Sequence, residues 1–194
     1  MKKFDSAQFL DQLQSDVRAI ILRVHYLQQQ DPEGLQQSPA SGQWSVAQVL
    51  EHLNSYSRYY LPAIQQALNN HQTRPKALFK AGWLGNYFTS MMRPGPEGQV
   101  KNKMKAMRGH IPEADVDAYR IIQEFLQQQQ QLLELLETAR KADLGRIRIA
   151  ISIAPFIRLK LGDTFHFFIV HEQRHFVQIE RVLKALGTKT AMLQ

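Results

Sequence analysis

Two histidines four residues apart, His171 and His175, are the clearest sign of chemistry in this sequence. At about 3.6 residues per helical turn, both side chains leave one face of a helix, with Cβ atoms about 6 Å apart. Two imidazoles placed in this way can bind one metal ion, at metal–nitrogen distances of about 2.0–2.1 Å. Two hydrogen-bonded core histidines are the alternative, and the spacing alone favours neither. A third metal ligand would have to come from another element.

The segment that contains this pair, Asp163–Gly187, predicts one long helix. Its apolar residues recur at steps of three and four, which is typical of a helix with one buried face. Asp163 is a suitable N-terminal cap, and Gly187 is a suitable residue to end the helix. The two histidines belong to the apolar face, so we expect them to point toward the rest of the protein.

His52 is the best-placed candidate for the third ligand. The segment Ser45–Gln48 has the S-x-x-Q form of a capping box, which predicts a helix over about 45–70. His52 lies about two turns inside that helix, next to its apolar face. A single histidine at such a place is more often a core or edge residue than a ligand. Pro62 should kink or split this helix.

Composition limits the class of protein. With 194 residues and 44% apolar residues, the chain suits one globular domain over residues 1–194. The absence of cysteine excludes disulfides, thiolate ligands and a cysteine nucleophile. No apolar run reaches the roughly 18–20 residues that a membrane span needs, and the first residues lack the apolar core of a secretory signal. We therefore expect a cytoplasmic protein without membrane partners.

The formal net charge of +7 raises the question of an anionic partner. The basic residues are dispersed along the chain, and the denser groups lack the interleaved aromatic residues of a single-strand binding surface. A solvated basic face explains them best, so we do not expect a nucleic-acid partner. The charge is compatible with an anionic small-molecule substrate.

Four amphipathic segments account for most of the chain. Besides the two helices above, apolar periodicity predicts helices over about 6–29 and 113–142. Four such helices bury their apolar faces most simply against one another, which predicts an all-α four-helix bundle. Metal sites are commonly built in the core of such bundles.

Two segments are harder to interpret. Residues 71–112 are rich in proline and glycine, and predict a long, partly structured connection with a short helix inside Leu78–Met92. Trp83 is a candidate pocket residue there, although burial is its ordinary role. The segment Leu144–Leu161 alternates like a strand, but a lone strand is unstable. We therefore interpret it as an extended connection with Pro155 near its bend.

Two short motifs resemble those of a known family, the DinB/YfiT-like proteins. The run from Trp44 to Leu53 resembles their W-(S/T)-x-x-x-(V/I)-x-x-H-(L/I) motif at the start of the second helix, and the run from His171 to Ile179 is similar to their H-x-x-x-H-x-x-Q-(I/A) motif. The resemblance implies a four-helix bundle with up-down-down-up connectivity. It also implies a divalent metal, nickel or zinc, bound by three histidines, which correspond here to His52, His171 and His175.

The resemblance implies two kinds of activity. Similar proteins include S-transferases that use bacillithiol or mycothiol, and a mycothiol-dependent isomerase. Because this chain has no cysteine, a thiol nucleophile would come from a low-molecular-weight cosubstrate; metal-dependent hydrolysis is the other option. A non-catalytic ligand-binding or interaction module is the alternative outside enzymes. Relatives are often dimers, so a homodimer is one option, and the sequence leaves the oligomeric state open.

Other residues near the motifs have weaker assignments. Gln178 lies one turn beyond His175, and is a candidate pocket residue. Glu51 and Glu172 each neighbour a histidine in sequence but point about 100° away from it on the helix, so neither is a secure general base. The sequence gives no reason to assign a chemical role to His25 or His166.

Overall fold

The structure, a computed structural model, describes residues 2–95, 98 and 105–188, and most of them are helical. The helices of the described residues are α1 Ser6–Gln28, α2 Pro32–Gln36, α3 Val46–Asn69, α4 Trp83–Met92, α5 Ala118–Ala139 and α6 Leu161–Ala185. The strands are β1 Lys3–Asp5, β2 Leu78–Lys80, β3 Arg148–Ile151 and β4 Ala154–Lys160.

Four long helices, α1, α3, α5 and α6, surround the apolar core. Helix α3 packs against α5 and α6, and α1 packs against the same two helices. The mostly helical architecture confirms the all-α prediction, whereas the up-down-down-up connectivity stays a prediction. None of the helices in the described part of the chain is long and apolar enough to cross a membrane.

The starts of α1 and α3 follow from local sequence. The Asp5 carboxylate accepts a hydrogen bond from the Gln8 backbone N–H at 3.0 Å, which caps α1. Ser45 and Gln48 form the predicted capping box, each side chain bonding the other residue's backbone N–H. Pro62 lies inside α3 without splitting it, since the helix continues to Asn69. The predicted second helix therefore starts where the capping box places it.

Helix α5 begins later than the sequence predicts. We expected a helix over 113–142, but α5 starts at Ala118, where the Asp117 side chain accepts from the Arg120 backbone N–H at 3.1 Å. The backbone carbonyls before it are engaged elsewhere: Glu113 accepts from the Gln48 side chain at 2.9 Å, and Val116 from the Gln36 side chain. These tertiary contacts hold residues 113–116 outside the helix.

Helix α6 begins at Leu161, two residues earlier than predicted. Asp163 does not cap it; the carboxylate accepts from the Gly82 backbone N–H at 2.9 Å and so joins α6 to the start of α4. Gly162 faces the buried Phe79 ring so closely that an added Cβ would lie 2.6–2.9 Å from three ring atoms. The helix ends as predicted, because Gly187 takes the left-handed conformation with φ +75°.

The prediction for Leu144–Leu161 is wrong in one respect. The segment is not an unpaired extended connection, because β3 and β4 pair with each other as an antiparallel hairpin, with Arg148 opposite Lys160. The chain turns between Ile151 and Ala154, so Pro155, the second residue of β4, lies near the bend as predicted. The inward-facing Ile149 and Leu159 are buried, and each strand supplies the other's missing hydrogen bonds.

The described part of residues 71–112 contains three short elements. Strand β2 pairs with β1 in antiparallel register, with Phe79 opposite Phe4. Helix α4 packs along α6, and a 3-10 turn at Arg108–His110 contacts α3. The segment therefore connects the N-terminal strand to both helices that carry the candidate ligands.

Candidate metal centre

Three histidines from two helices lie together in the bundle. His52 comes from α3, and His171 and His175 come from α6; one ring nitrogen of each lies within 4.8 Å of the other two. The His52 ring centroid is 4.6 Å from that of His175 and 5.5 Å from that of His171. His52 and His171 are buried, whereas His175 is partly exposed. The packing of α3 against α6 thus brings together residues that are distant in sequence.

Hydrogen bonds fix the protonation of two of these rings. The His52 Nδ1 lies 2.7 Å from the His110 carbonyl oxygen, which can only accept, so Nδ1 carries the proton. The His175 Nδ1 lies 2.9 Å from the Gln178 side-chain oxygen, and donates in the same way. In a neutral imidazole this leaves the Nε2 lone pair free in both rings. Metal-binding histidines are typically oriented by a hydrogen bond from their second nitrogen.

The third ring has an unsatisfied nitrogen. The His171 Nε2 lies 3.1 Å from the His175 Nε2, while the His171 Nδ1 is buried without a hydrogen-bond partner among the described residues. With its proton on Nε2, His171 donates to His175 but leaves Nδ1 as an unpaired acceptor. With the proton on Nδ1, two lone pairs face each other at 3.1 Å. Neither neutral tautomer of His171 therefore gives every ring nitrogen of His171 and His175 a hydrogen-bond partner.

A cation between the two Nε2 atoms would remove the contact between lone pairs, while the buried His171 Nδ1 would still have no partner among the described residues. Two ligands at about 2.0–2.1 Å from one ion, at coordination angles near 90–110°, place their nitrogens about 2.9–3.4 Å apart. The 3.1 Å between the Nε2 atoms of His171 and His175 falls in that range. This pair therefore fits a late first-row divalent ion, for which imidazole is a common ligand, and a ring nitrogen of His52 lies within 4.8 Å of both.

Burial keeps these rings neutral. Desolvation, followed by the charges of His175 and His52, lowers the pKa of His171 well below its ordinary value. Desolvation and then the neighbouring His52 lower the pKa of His175 to about 3. The pKa of His52 is lowered mainly by burial. Neutral imidazole is the form that binds metals.

Aromatic side chains surround the three histidines. The Trp44 ring centroid lies 5.0 Å from that of His52, and the Tyr56 centroid lies 4.7 Å from that of His171. Phe167 stacks parallel to His171 at 6.1 Å. Burial raises the pKa of Tyr56 to about 12, so its hydroxyl stays protonated. These rings help to bury His52 and His171, and the apolar surroundings strengthen electrostatic interactions there.

His110 is a site residue that sequence reasoning missed. Its carbonyl holds His52, and its ring stacks on Tyr56 with centroids 3.7 Å apart. The Ser55 hydroxyl donates to the His52 carbonyl at 2.6 Å, so it accepts from the His110 Nδ1–H at 2.8 Å. His110 lies in a proline- and glycine-rich segment without periodicity, and no local pattern marks it.

The carboxylates beside the histidines are engaged elsewhere, as their helical positions suggest. Glu51 forms an ion pair with Arg58 at 2.7 Å. Glu172 is fully buried and accepts from the Gln129 side chain at 2.7 Å. Burial raises the pKa of Glu172 to about 8, and the hydrogen bond only partly offsets it. Neither carboxylate contacts the three rings through a hydrogen bond among the described residues.

The two candidate pocket residues occupy different surroundings. Gln178 touches the site directly through the Nδ1 of His175. Trp83 is 72% exposed at the first residue of α4. A cavity of about 220 Å³ lies beside His110 and is lined in part by Glu51, Ser55, Arg58 and Pro112. It borders the segment that orients His52.

Fold and site together define a class: a helical bundle in which two core helices bring three histidines within coordinating distance of one ion. A family model described as the DinB superfamily matches residues 11–179, and the chain belongs to that superfamily. Comparisons with curated proteins and with solved structures give no significant match.

Proposed function

We propose that this protein is a divalent-metal-dependent enzyme whose ion, nickel or zinc, is bound by His52, His171 and His175. The observation that carries the proposal is the convergence of three neutral imidazoles, two of them with Nδ1 already occupied by a hydrogen bond. Membership of the DinB superfamily supports the same conclusion. Three protein ligands with a remaining open position are typical of catalytic sites.

The surrounding residues each have a distinct part in this proposal. A bound divalent ion supplies Lewis acidity and lowers the pKa of a thiol or of water. The His110 carbonyl and the Gln178 side chain orient two ligand rings. Trp44, Tyr56 and Phe167 keep bulk water away from the histidines.

Transfer of a low-molecular-weight thiol to a small electrophilic substrate is the reaction that we favour. The chain has no cysteine of its own, so the thiol is a cosubstrate. Hydrolysis is the weaker option, because metal-assisted hydrolysis commonly uses a carboxylate base, and Glu51 and Glu172 are both engaged elsewhere. The engagement of Glu51 and Glu172 away from the histidines also favours a second candidate, a non-catalytic module that binds a ligand through the metal.

Metal content tests the site itself. Elemental analysis of untagged, chelator-free protein, resupplied with nickel or zinc and desalted, should give one ion per chain. His171→Ala should lose that ion, whereas His25→Ala, on the exposed face of α1, should keep it. Full metal content in His171→Ala would refute the ligand assignment.

Activity separates the two candidate functions. The metal-loaded protein should accelerate conjugation of a small thiol to an electrophilic aryl chloride, and this activity should disappear with chelator and return with metal. Activity that persists in excess chelator would refute the metal mechanism. One bound ion without thiol transfer or ester hydrolysis would support the binding module.

A further inference from the structure

A second cavity, separate from the three histidines, lies between α1 and α6. Its volume is about 570 Å³, within the range of small-molecule sites. Helix α6 lines it with His166, Val170 and Gln173. At about 100° per residue, these three lie on the face nearly opposite to that of His171 and His175. This cavity, the α1–α6 cleft, is therefore a different site from the candidate metal centre.

Three cations occur in the lining of the cleft. Lys2 and Lys3 come from the N-terminal segment, and Arg93 comes from the end of α4. None of the three forms an ion pair with another described residue. Arg93 donates from Nη2 to the His166 Nε2 at 3.0 Å. Burial, followed by the charges of Arg93 and Lys2, lowers the pKa of His166 to about 4, so the ring is neutral and adds no charge.

The two acidic residues in the lining offset these cations only in part, and neither forms an ion pair with them. Asp5 caps α1 by accepting from the Gln8 backbone N–H at 3.0 Å. Asp16 accepts from the Gln12 side chain at 2.9 Å. Both carboxylates have partners on α1 but keep their charge, so three cations and two carboxylates leave the lining with a formal charge of +1, and Arg93 and Lys2 act on His166. Cations held near a cavity without a paired carboxylate favour an anionic ligand.

The rest of the lining combines an apolar, aromatic surface with the polar side chains of Gln8, Gln12 and Gln173. Phe4 and Phe9 lie in its lining with ring centroids 4.8 Å apart, and the His166 ring meets Phe9 edge-on at 5.5 Å. Leu13 and Val170 extend this surface. A planar or branched apolar group can pack there while its charged group reaches the cations. The lining therefore suits an amphipathic ligand rather than an inorganic ion.

We propose that the α1–α6 cleft binds a small organic carboxylate, with the carboxylate at Arg93 and Lys2 and the apolar body on Phe4 and Phe9. Arg93 presents a planar guanidinium, whose paired N–H groups match the two oxygens of a carboxylate. The site is independent of metal binding, because it shares no lining residue with the three histidines.

Binding of 2-naphthoate, followed by calorimetry at low salt, tests the proposal, with the neutral 2-naphthalenemethanol as the matched ligand. The naphthoate should bind at least tenfold more tightly than the alcohol. Arg93→Gln should weaken naphthoate binding at least tenfold, as expected for a hydrogen bond to a charged group. Arg18→Gln removes an equal charge from an exposed position of α1 outside the lining, and should change binding less than twofold.

Two further variants test the apolar contacts of the ligand and the independence of the cleft from the metal centre. Phe4→Ala should weaken both ligands, while His171→Ala should leave naphthoate binding unchanged if the cleft is independent of the metal centre. Far-ultraviolet circular dichroism confirms that each variant is folded. Equal affinity for the acid and the alcohol, equal losses in Arg93→Gln and Arg18→Gln, or no naphthoate binding at millimolar concentration would each overturn the proposal.

Discussion

Replacing Gly162 with alanine should destabilise the protein through one identifiable contact. Gly162 lies in the first turn of α6, where the Phe79 ring of β2 packs directly against its backbone. The new Cβ would lie 2.6–2.9 Å from three atoms at the far end of that ring. Phe79 is only 2% exposed, so the ring has little room to move away. The contact anchors the helix that carries two of the three candidate ligands.

The expected loss follows from two opposing effects. Overpacking of a well-packed core costs about 1–3 kcal/mol, whereas replacing a helical glycine with alanine returns about 0.5–1 kcal/mol. The net loss in the free energy of unfolding should be about 1–2 kcal/mol. For a chain of this length, each kcal/mol shifts Tm by about 2–4 °C. Gly162→Ala should therefore lower Tm by about 2–8 °C.

Thermal and urea denaturation of five proteins measure the effect. Phe79→Val removes the ring atoms that the new methyl group would meet, so in that background Gly162→Ala should be neutral or slightly stabilising. Gly34→Ala is the control, because its Cβ would meet only ordinary contacts at 3.6 Å or more. If Gly162→Ala lowered stability equally in both backgrounds, or not at all, the argument from the Phe79 contact would be refuted.

Three other predictions follow from caps, charge and metal linkage. The pKa of His166 is lowered to about 4 in the folded state, so the unfolded state takes up a proton first as the pH falls. The contribution of the neutral His166 ring to stability is therefore complete above about pH 6.5 and is lost as the pH falls toward 4. After allowance for partial exposure this loss is about 1–2 kcal/mol. Urea denaturation at pH 5 and 7 should show that the free energy of unfolding of His166→Gln depends less on pH than that of the wild type. An unchanged dependence would contradict the prediction. A divalent ion at about a hundred times its Kd should raise the free energy of unfolding by about 2.7 kcal/mol, as measured by thermal denaturation with and without chelator. His52→Ala should show no such shift, and an equal shift would exclude His52 as a ligand. Ser45→Ala should lower the free energy of unfolding by about 1 kcal/mol because it removes a capping box; an unchanged Tm would count against that role.

The sequence predicts elements whose signal is local. The capping box at Ser45 marks the start of α3, and the spacing of His171 and His175 places both rings on one face. Its position inside the second helix made His52 the best-placed third ligand, and a resemblance to a known family strengthened that grouping, because no local pattern records which helices pack together. The cluster in the structure agrees with that grouping.

Elements that depend on distant contacts were not predictable in the same way. The start of α5 is delayed because carbonyls at Glu113 and Val116 accept from glutamines in other helices. The β3–β4 hairpin lacks an Asn-Gly or Asp-Gly turn, so its strand pattern had no visible partner. The role of His110 rests on its backbone carbonyl, which every residue type possesses.

The distribution of the three histidines has a consequence for biosynthesis. His52 is translated early, whereas His171 and His175 lie in the last long helix. A nascent chain therefore has no complete ligand set until α6 has left the ribosome and docked on α3. Closing so long a loop costs chain entropy, which the packing of the bundle must offset. Under the proposed function, metal would load only after α6 has docked, and a chain that ends before α6 would lack two of the three proposed ligands.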